Sequence, residues 1–553
     1  MTESRGGGRR ALLGAAAGVL AAGAALGIGQ LVAGLTGASG SPVVAVGQLQ
    51  IDFTPPWLKN FAITAFGPDD KLVLVSGILV VIAIFAAVIG VAAMRRLAYG
   101  MTGLAVFAAV GLTAAATRPT ATVTSLLPTL AAVAAAVVVL RVLIGRARTV
   151  TPGISGPSAA SGPPAAREER TLSAPDMDQW VKGPAEAAAP SGGTGPAPGA
   201  ARRSFLAASA ATAGVAAAAG LAGRSLAERG SVAGALKTLR LPRPSAPPPA
   251  LPAGTDLRIP GLAPFITANS DFYRVDTALV LPEVVPSSWQ LRIHGMVARE
   301  ITITFDELLR RPLIEDYVTL CCVSNPVAGP YIGNALWLGA SLASLLRQAG
   351  IKAGADQLIC TSADGFTSGT PVQTVMDGRD ALLAVAMNGQ PLPVAHGFPV
   401  RMVVPGLYGY VSATKWVTDI NVTTFAGNYA YWAQRGWSQR APIKTESRID
   451  VPGGQNRVRA GRTAVAGVAW AQHKGIDAVE VRVDRGPWHQ ARLAAVPGID
   501  TWRQWVWDWE ATSGNHLIEA RATDATGYTQ TAAQEPPEPN GATGYPSVQV
   551  SVA

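Results

Sequence analysis

Residues 387–393 read Met387-Asn388-Gly389-Gln390-Pro391-Leu392-Pro393, followed by His396-Gly397-Phe398-Pro399-Val400-Arg401, then Pro405-Gly406 and Lys415-Trp416. Val400 to Val404 is bounded by Pro399 before it and Pro405-Gly406 after it, which predicts a short strand between two breaks. Working outward, Trp289 to Gly295 alternates apolar and polar residues like a strand. Thr304 with Glu307 three residues on predicts a capped short helix. Ser341 to Ala349 predicts another helix, stopped by Gly350. Strands and short helices therefore mix from 256 to 440, an α+β domain.

Beyond it, 445–553 changes character. Val479, Val481 and Val483 alternate with Glu480, Arg482 and Asp484 before the turn Arg485-Gly486-Pro487. His516 to Ala522 repeats the pattern, and Trp502, Trp505, Trp507 and Trp509 offer a core. Short strands separated by turns predict an all-β, immunoglobulin-like sandwich.

In the other direction the chain becomes apolar. Hydrophobic residues make up 49% of its 553 residues and charged ones 15%, too few charges for an ordinary soluble enzyme. The excess lies in the first 225 residues. Runs at 11–36, 72–94, 98–117 and 121–140 each approach the ~20 residues that cross a hydrocarbon core as a helix. Arg5, Arg9 and Arg10 precede the first, Arg95 and Arg96 divide the second from the third, and Arg141, Arg146 and Arg148 follow the fourth. With those clusters on the cytoplasmic side the helices alternate in and out, and the loop 37–71 and Arg118 lie outside. Residues 1–148 thus read as a four-helix transmembrane anchor in contact with lipid. Residues 149–200, rich in Pro, Gly, Ser and Ala, read as a disordered cytoplasmic linker. Arg202-Arg203-Ser204-Phe205-Leu206 opens an Ala/Gly helix over 201–224. It reads as a twin-arginine export signal, as a fifth spanning helix, or as both. Either way 256–553 lies outside the cytoplasm, behind a Pro-rich tether at 225–255, making the chain a multi-pass cell-membrane protein.

Several function classes are excluded. The net charge of +9 comes largely from arginines beside apolar runs, and no basic stripe with interleaved aromatics points to nucleic acid. The five histidines, His294, His396, His473, His489 and His516, all fall outside the apolar runs, which removes bis-histidine haem between those helices. No charged or broken helix suggests a transporter. Cys321, Cys322 and Cys360 have no zinc-ligand spacing, and adjacent cysteines rarely bridge.

Taken alone, a thiol after an apolar strand is a core cysteine, and each basic residue of 387–415 a surface ion pair. Together they resemble the sulfite oxidase family. Cys322-Val323-Ser324-Asn325 is similar to its Cys-x-x-Asn segment. The string from Met387 to Trp416 matches its Met-Asn-Gly-x-x-Leu-Pro, His-Gly-x-Pro-x-Arg, Pro-Gly and Lys-Trp pattern, with one extra residue before Lys415. The resemblance covers 256–553. It implies a molybdopterin cofactor, with Cys322 as the molybdenum thiolate and His396, Arg401 and Lys415 holding the anionic pterin. Arg suits that task as a fork of donors and Lys as a point charge. Asp364, Asn269 and Tyr273 are implied at the cofactor and Arg274 near the metal, while Tyr408 or Tyr410, after Pro405-Gly406, either lines the pocket or serves packing. The sandwich is implied to make a homodimer.

Three positions depart from the family. Sulfite oxidases carry Arg where this chain has Leu336 before Trp337, an anion-binding Arg near 540–542 where it has Asn540-Gly541-Ala542, and a pocket Tyr where it has Val385. A dianion needs paired positive charge in a desolvated pocket. The implied reaction is oxygen-atom or coupled two-electron transfer on a small oxyanion or sulfur-oxide substrate. Reduction of sulfoxides and a non-catalytic surface-binding role stand beside it. No haem or iron–sulfur motif is visible, so a separate electron-transfer protein is expected as partner.

Overall fold

The computed structural model describes residues 3–36, 45–47, 50, 54–55, 70–117, 123–150, 198–229, 232–453 and 457–553. Nearly all of the expected linker, 151–197, most of the loop 37–71, and Arg118 lie outside the described residues. The chain divides into two compact units, one holding the apolar helices and the other holding everything from Ser225 onward.

In the first unit, five helices follow the apolar runs: α1 (Glu3–Thr36), α2 (Asp70–Arg95), α3 (Leu97–Ala116), α4 (Leu127–Val150) and α5 (Pro198–Arg229). All five are long and apolar enough to cross a membrane. Small residues let them pack closely. A Cβ added at Gly18 of α1 would strike the Ala86 carbonyl of α2, and one at Gly27 would strike the Ala216 carbonyl of α5. Outward-facing residues are apolar too: α2 exposes Val80, Val81, Ile84, Phe85 and Val88. The fourth helix runs past its expected end at 140 to Val150. Leu140, Leu143, Ile144 and Ala147 continue a buried stripe at helical spacing while Arg141, Arg146 and Arg148 stay exposed. Arg148 donates to the Ala93 carbonyl at 2.8 Å.

The second unit opens inside the expected tether. Here α6 (Val232–Thr238) buries Val232 against Phe272, Val318 and Trp337, because its apolar residues have an apolar surface to cover. Two sheets follow. The first runs β2 (Ile301–Thr304), β1 (Gln290–Gly295), β10 (Val417–Thr423), β5 (Gln357–Ser362), β6 (Thr367–Pro371). The second runs β3 (Leu313–Cys321), β4 (Ile332–Ser341), β7 (Leu382–Met387), β8 (Gln390–Pro391), with β9 (Arg401–Val403) on β7. Every residue of β7 is buried, as a continuous apolar run demands. Short helices α7 (Phe305–Leu309), α8 (Leu342–Ala349), α9 (Val372–Met376) and α10 (Gly409–Ser412) join the strands. Thr304 and Glu307 form the expected capping box on α7, and Gly350 at φ 73° ends α8.

The C-terminal part is all strand. One sheet is β11 (Glu446–Val451), β13 (Gly461–Trp470), β17 (Arg503–Ala511), β16 (Arg492–Leu493). The other is β12 (Arg457–Val458), β19 (Ser547–Val552), β18 (Gly514–Asp524), β14 (Ile476–Val483), β15 (His489–Gln490). Val465, Trp505 and Trp509 from one sheet share a core with Val479, Val481 and Ile518 from the other. Trp502 does not join them. It lies before β17 and packs into the α+β core, its indole donating to the Phe265 carbonyl at 2.9 Å. Thr319 of β3 is tied to the same stretch: its amide donates to the Asp500 carbonyl at 2.9 Å and its hydroxyl accepts from the Trp502 amide at 2.7 Å. These bonds fix β3 three residues before Cys322.

Candidate active site

Cys322 stands one residue past β3, on the turn that leads into β4. Its amide donates to the Tyr331 carbonyl at 2.9 Å, and its carbonyl accepts from the Asn325 amide at 3.1 Å. Asn325 closes the loop by accepting from the Tyr331 amide at 2.8 Å, while its buried Nδ2 has no hydrogen-bond partner. Neighbouring residues of a strand face opposite ways, and the two thiols meet different surroundings. Burial raises both. Cys321 feels Glu446 and Arg448, whereas Cys322 is pulled back by hydrogen bonds from Ser324 and by the charge of Lys415.

Three cations converge on this turn's surroundings, in different states. Arg401 is 5% exposed. Its guanidinium donates to the His396 carbonyl at 3.1 Å and the Ala413 carbonyl at 3.3 Å, and sits 5.0 Å from the Trp337 ring centroid. No carboxylate pairs with it among the described residues. Burial pulls its pKa down to about 10. Lys415 and Arg274 instead share one acid: Asp276 Oδ2 accepts from Lys415 Nζ at 2.9 Å and from Arg274 Nε at 2.8 Å. Lys415 also lies 4.7 Å from the Trp416 ring centroid. Gly397, at φ 108°, lets the 394–397 turn lie between these cations, since a Cβ there would press on Arg401 Cβ and Lys415 Cα.

His396 is buried with its ring edge on Phe272, and its Nε2 is 3.2 Å from the Asn269 carbonyl oxygen. Burial, aided by the charge of Arg401, pulls it down to about 4, so the imidazole is neutral at pH 7. Asn269 links this corner to the Met-Asn-Gly turn: its Nδ2 donates to the Met387 carbonyl at 3.2 Å and its Oδ1 accepts from Asn388 at 2.8 Å. Tyr273 stacks on Phe272. Burial pushes its phenol up, Cys322 and Cys321 add to the shift and Arg401 opposes it, which places the hydroxyl among them.

The remaining expected residues are less central. Asp364 caps the β5–β6 turn by accepting from the Phe366 amide at 3.1 Å, and its neighbour Ala363 donates to the Trp416 carbonyl at 2.8 Å. Tyr408 is fully buried beneath Gly541. The Tyr410 hydroxyl donates to the Ser438 carbonyl, and its ring packs on Trp437. Sequence reasoning missed Asp276, Trp337 and Asn325's unpaired amide. Only the nearness of Asp276 to Arg274 signalled the first.

The donor set suits a metal-bearing anion. A thiol is a soft metal ligand, an orphaned amide waits beside it, and a buried guanidinium without a carboxylate demands an external negative charge. The family model for the oxidoreductase molybdopterin binding domain matches residues 278–432, a span that holds Cys322, His396, Arg401 and Lys415. Mitochondrial sulfite oxidase of Mus musculus is 29% identical over 286 residues, 44% of this chain and 52% of that protein, so the chain spans about half the length of this relative. Sulfite oxidase of Gallus gallus is 30% identical over 315 residues, 47% of this chain and 67% of that protein. The crystal structure of the sulfane dehydrogenase SoxCD from Paracoccus pantotrophus matches with a TM-score of 0.44 and 25% identity, over 49% of this chain and 75% of that one. With two thirds of the Gallus gallus enzyme matched at that identity, the chain belongs to the sulfite oxidase family of molybdopterin-dependent oxidoreductases.

Proposed function

We propose that the chain is a membrane-anchored molybdenum-cofactor oxidoreductase with its catalytic half outside the cytoplasmic membrane. The observation that carries the site assignment is Arg401, a buried permanent cation that pairs with no carboxylate among the described residues and that acts, like Cys322, on the buried Tyr273. On this reading Cys322 is the metal thiolate. Arg401, Lys415 and neutral His396 hold the pterin's anionic and polar edge, with Asn269, Tyr273 and Asp364 shaping the cradle and Arg274 near the metal. Tyr408 and Tyr410 support the wall from behind. The cofactor, when bound, supplies two-electron oxygen-atom transfer. The protein excludes water and orients the substrate.

Residues 1–148 and 201–224 are the anchor, with lipid against their apolar exteriors and 149–200 as the cytoplasmic linker. The arginine clusters beside α1, α2 and α4 favour a cytoplasmic position for those ends. Arg202-Arg203 before an apolar helix favours export of a folded, cofactor-loaded chain by the twin-arginine route. Residues 256–440 form the catalytic domain. The immunoglobulin-like sandwich, 445–553, pairs two copies. A separate electron-transfer protein completes the reaction. Leu336, where sulfite oxidases carry Arg, favours a second reading, reduction of sulfoxides.

The deciding experiment measures molybdenum and pterin in the full chain, purified in detergent from a cofactor-making host. One molybdenum per chain, lost in Cys322→Ser, supports the reading. A metal-free chain, or unchanged metal in the variant, ends it.

A further inference from the structure

Asp276 is the acid of this site, and its position is unusual. Its side chain is 4% exposed, and one oxygen holds both Arg274 and Lys415. Both cations belong to the site electrically: Lys415 acts on Cys322, and Arg274 and Lys415 act on His396. Two positive charges are therefore offset by one buried negative charge before any ligand arrives. Arg401, which pairs with no carboxylate among the described residues, and Lys415 both hold the cofactor in the reading above. Leu336, where sulfite oxidases carry Arg, is apolar, and its amide and carbonyl are both bonded to Asn388, at 2.9 and 2.7 Å. Val385, where sulfite oxidases have Tyr, is completely buried.

A dianion entering a desolvated pocket needs close to two uncompensated positive charges to replace its lost hydration. This pocket does not hold them once its cofactor is bound. We propose that Asp276 sets the substrate's charge: by occupying Arg274 and Lys415 it makes the site take a sulfur- or nitrogen-oxide that is uncharged at its reacting end, and reject oxyanions such as sulfite. Asp276 acts through the two cations, so it is a positioning residue. Lys415, 11% exposed, carries more of the effect than Arg274 at 41%, because solvent screens the latter.

The inference rests on the molybdenum reading, and its test separates the two. Full-length, molybdenum-loaded wild type, Asp276→Asn and Asp276→Glu are titrated with sulfate by calorimetry, and their turnover of sulfite and dimethyl sulfoxide is compared with artificial electron carriers. Wild type is expected to bind sulfate weakly and to favour the sulfoxide. Asp276→Asn, with one more net positive charge, should bind sulfate about tenfold tighter and lower the KM for sulfite by a similar factor. The KM for dimethyl sulfoxide should stay within about twofold, and Asp276→Glu should behave as wild type. A merely structural role would depress both substrates alike. Unchanged sulfate affinity in a metal-loaded Asp276→Asn chain overturns the inference alone, whereas a metal-free wild type overturns the underlying reading. If Asp276→Asn does not fold, wild type decides, because preference for sulfite over the sulfoxide refutes the proposal.

Discussion

Cys321 and Cys322 look onto two regions that are equally dry and differ in sign. The Cys322 side holds Arg401, which has no carboxylate partner among the described residues, Lys415 and a neutral His396. The Cys321 side holds Glu446, 4% exposed, with Tyr408 beside it and one carboxyl oxygen lacking a hydrogen-bond partner. Both regions carry the cost of burying polar groups. They resolve it differently. A carboxylate can take up a proton, and burial pushes Glu446 up to about 8. A guanidinium keeps its charge at any physiological pH. The Cys321 side can therefore be closed by packing alone, and the Cys322 side requires an anion from elsewhere. Orphaned buried atoms do not by themselves mark a site; uncompensated charge that cannot be titrated away does.

The sharpest way to break this contrast is to exchange each thiol. Cys322→Ser is expected to lose molybdenum and at least about a thousandfold in turnover, a cost of about 4 kcal/mol or more in barrier. Cys321→Ser is expected to keep its metal and most of its activity, losing about 1–2 kcal/mol of stability as a hydroxyl enters an apolar place. Metal analysis, single-substrate rates and melting curves on both variants settle it. Equal loss of metal from both would erase the distinction.

The next test concerns Arg401. Replacing it with Met should leave the cofactor weakly held, with occupancy after dialysis down about tenfold or more. The same change should not destabilise the cofactor-free chain, and should stabilise it by about 1–3 kcal/mol, since an unpaired buried charge is replaced by an apolar chain of similar length. A cofactor-free Arg401→Met protein that melts well below wild type would show that the guanidinium is structural.

The sequence made some of this legible. Met387 to Trp416 carries three of the convergent residues within one short stretch, so their grouping near β9 follows from chain continuity. Apolar runs announced the five helices, and Thr304 with Glu307 announced α7, because those patterns are local. Asp276 is legible only through its nearness to Arg274. Its bond to Lys415 spans 139 residues, and nothing in an isolated aspartate tells which distant cation it meets. Helix α6 hid inside a Pro-rich stretch because its stability comes from the surface it covers. The far end of α4 is masked in the sequence because its arginines resemble a flank, although Leu143, Ile144 and Ala147 between them keep the apolar stripe. Spacing alone places Trp502 with its neighbours, yet it precedes their strand and so escapes their alternation.

The smallest expected effect lies on the Cys321 side. Glu446 keeps its proton in the folded chain up to about 8, while the unfolded chain releases it near the ordinary 4.5. Between those values the folded state holds more protons, so stability falls as pH rises. The contribution is fully present below 4.5 and lost above 8. Glu446→Gln removes that slope and should melt slightly above wild type at pH 9 and below it near pH 5. The gain should be only about 1 kcal/mol at pH 9, because the amide brings two donors into a place where one oxygen already lacks a partner. Melting temperatures of the two proteins from pH 5 to 9 read this directly. Parallel curves would mean that Glu446 is ionised throughout, that its burial is compensated by charge, and that the two sides of the turn are alike after all.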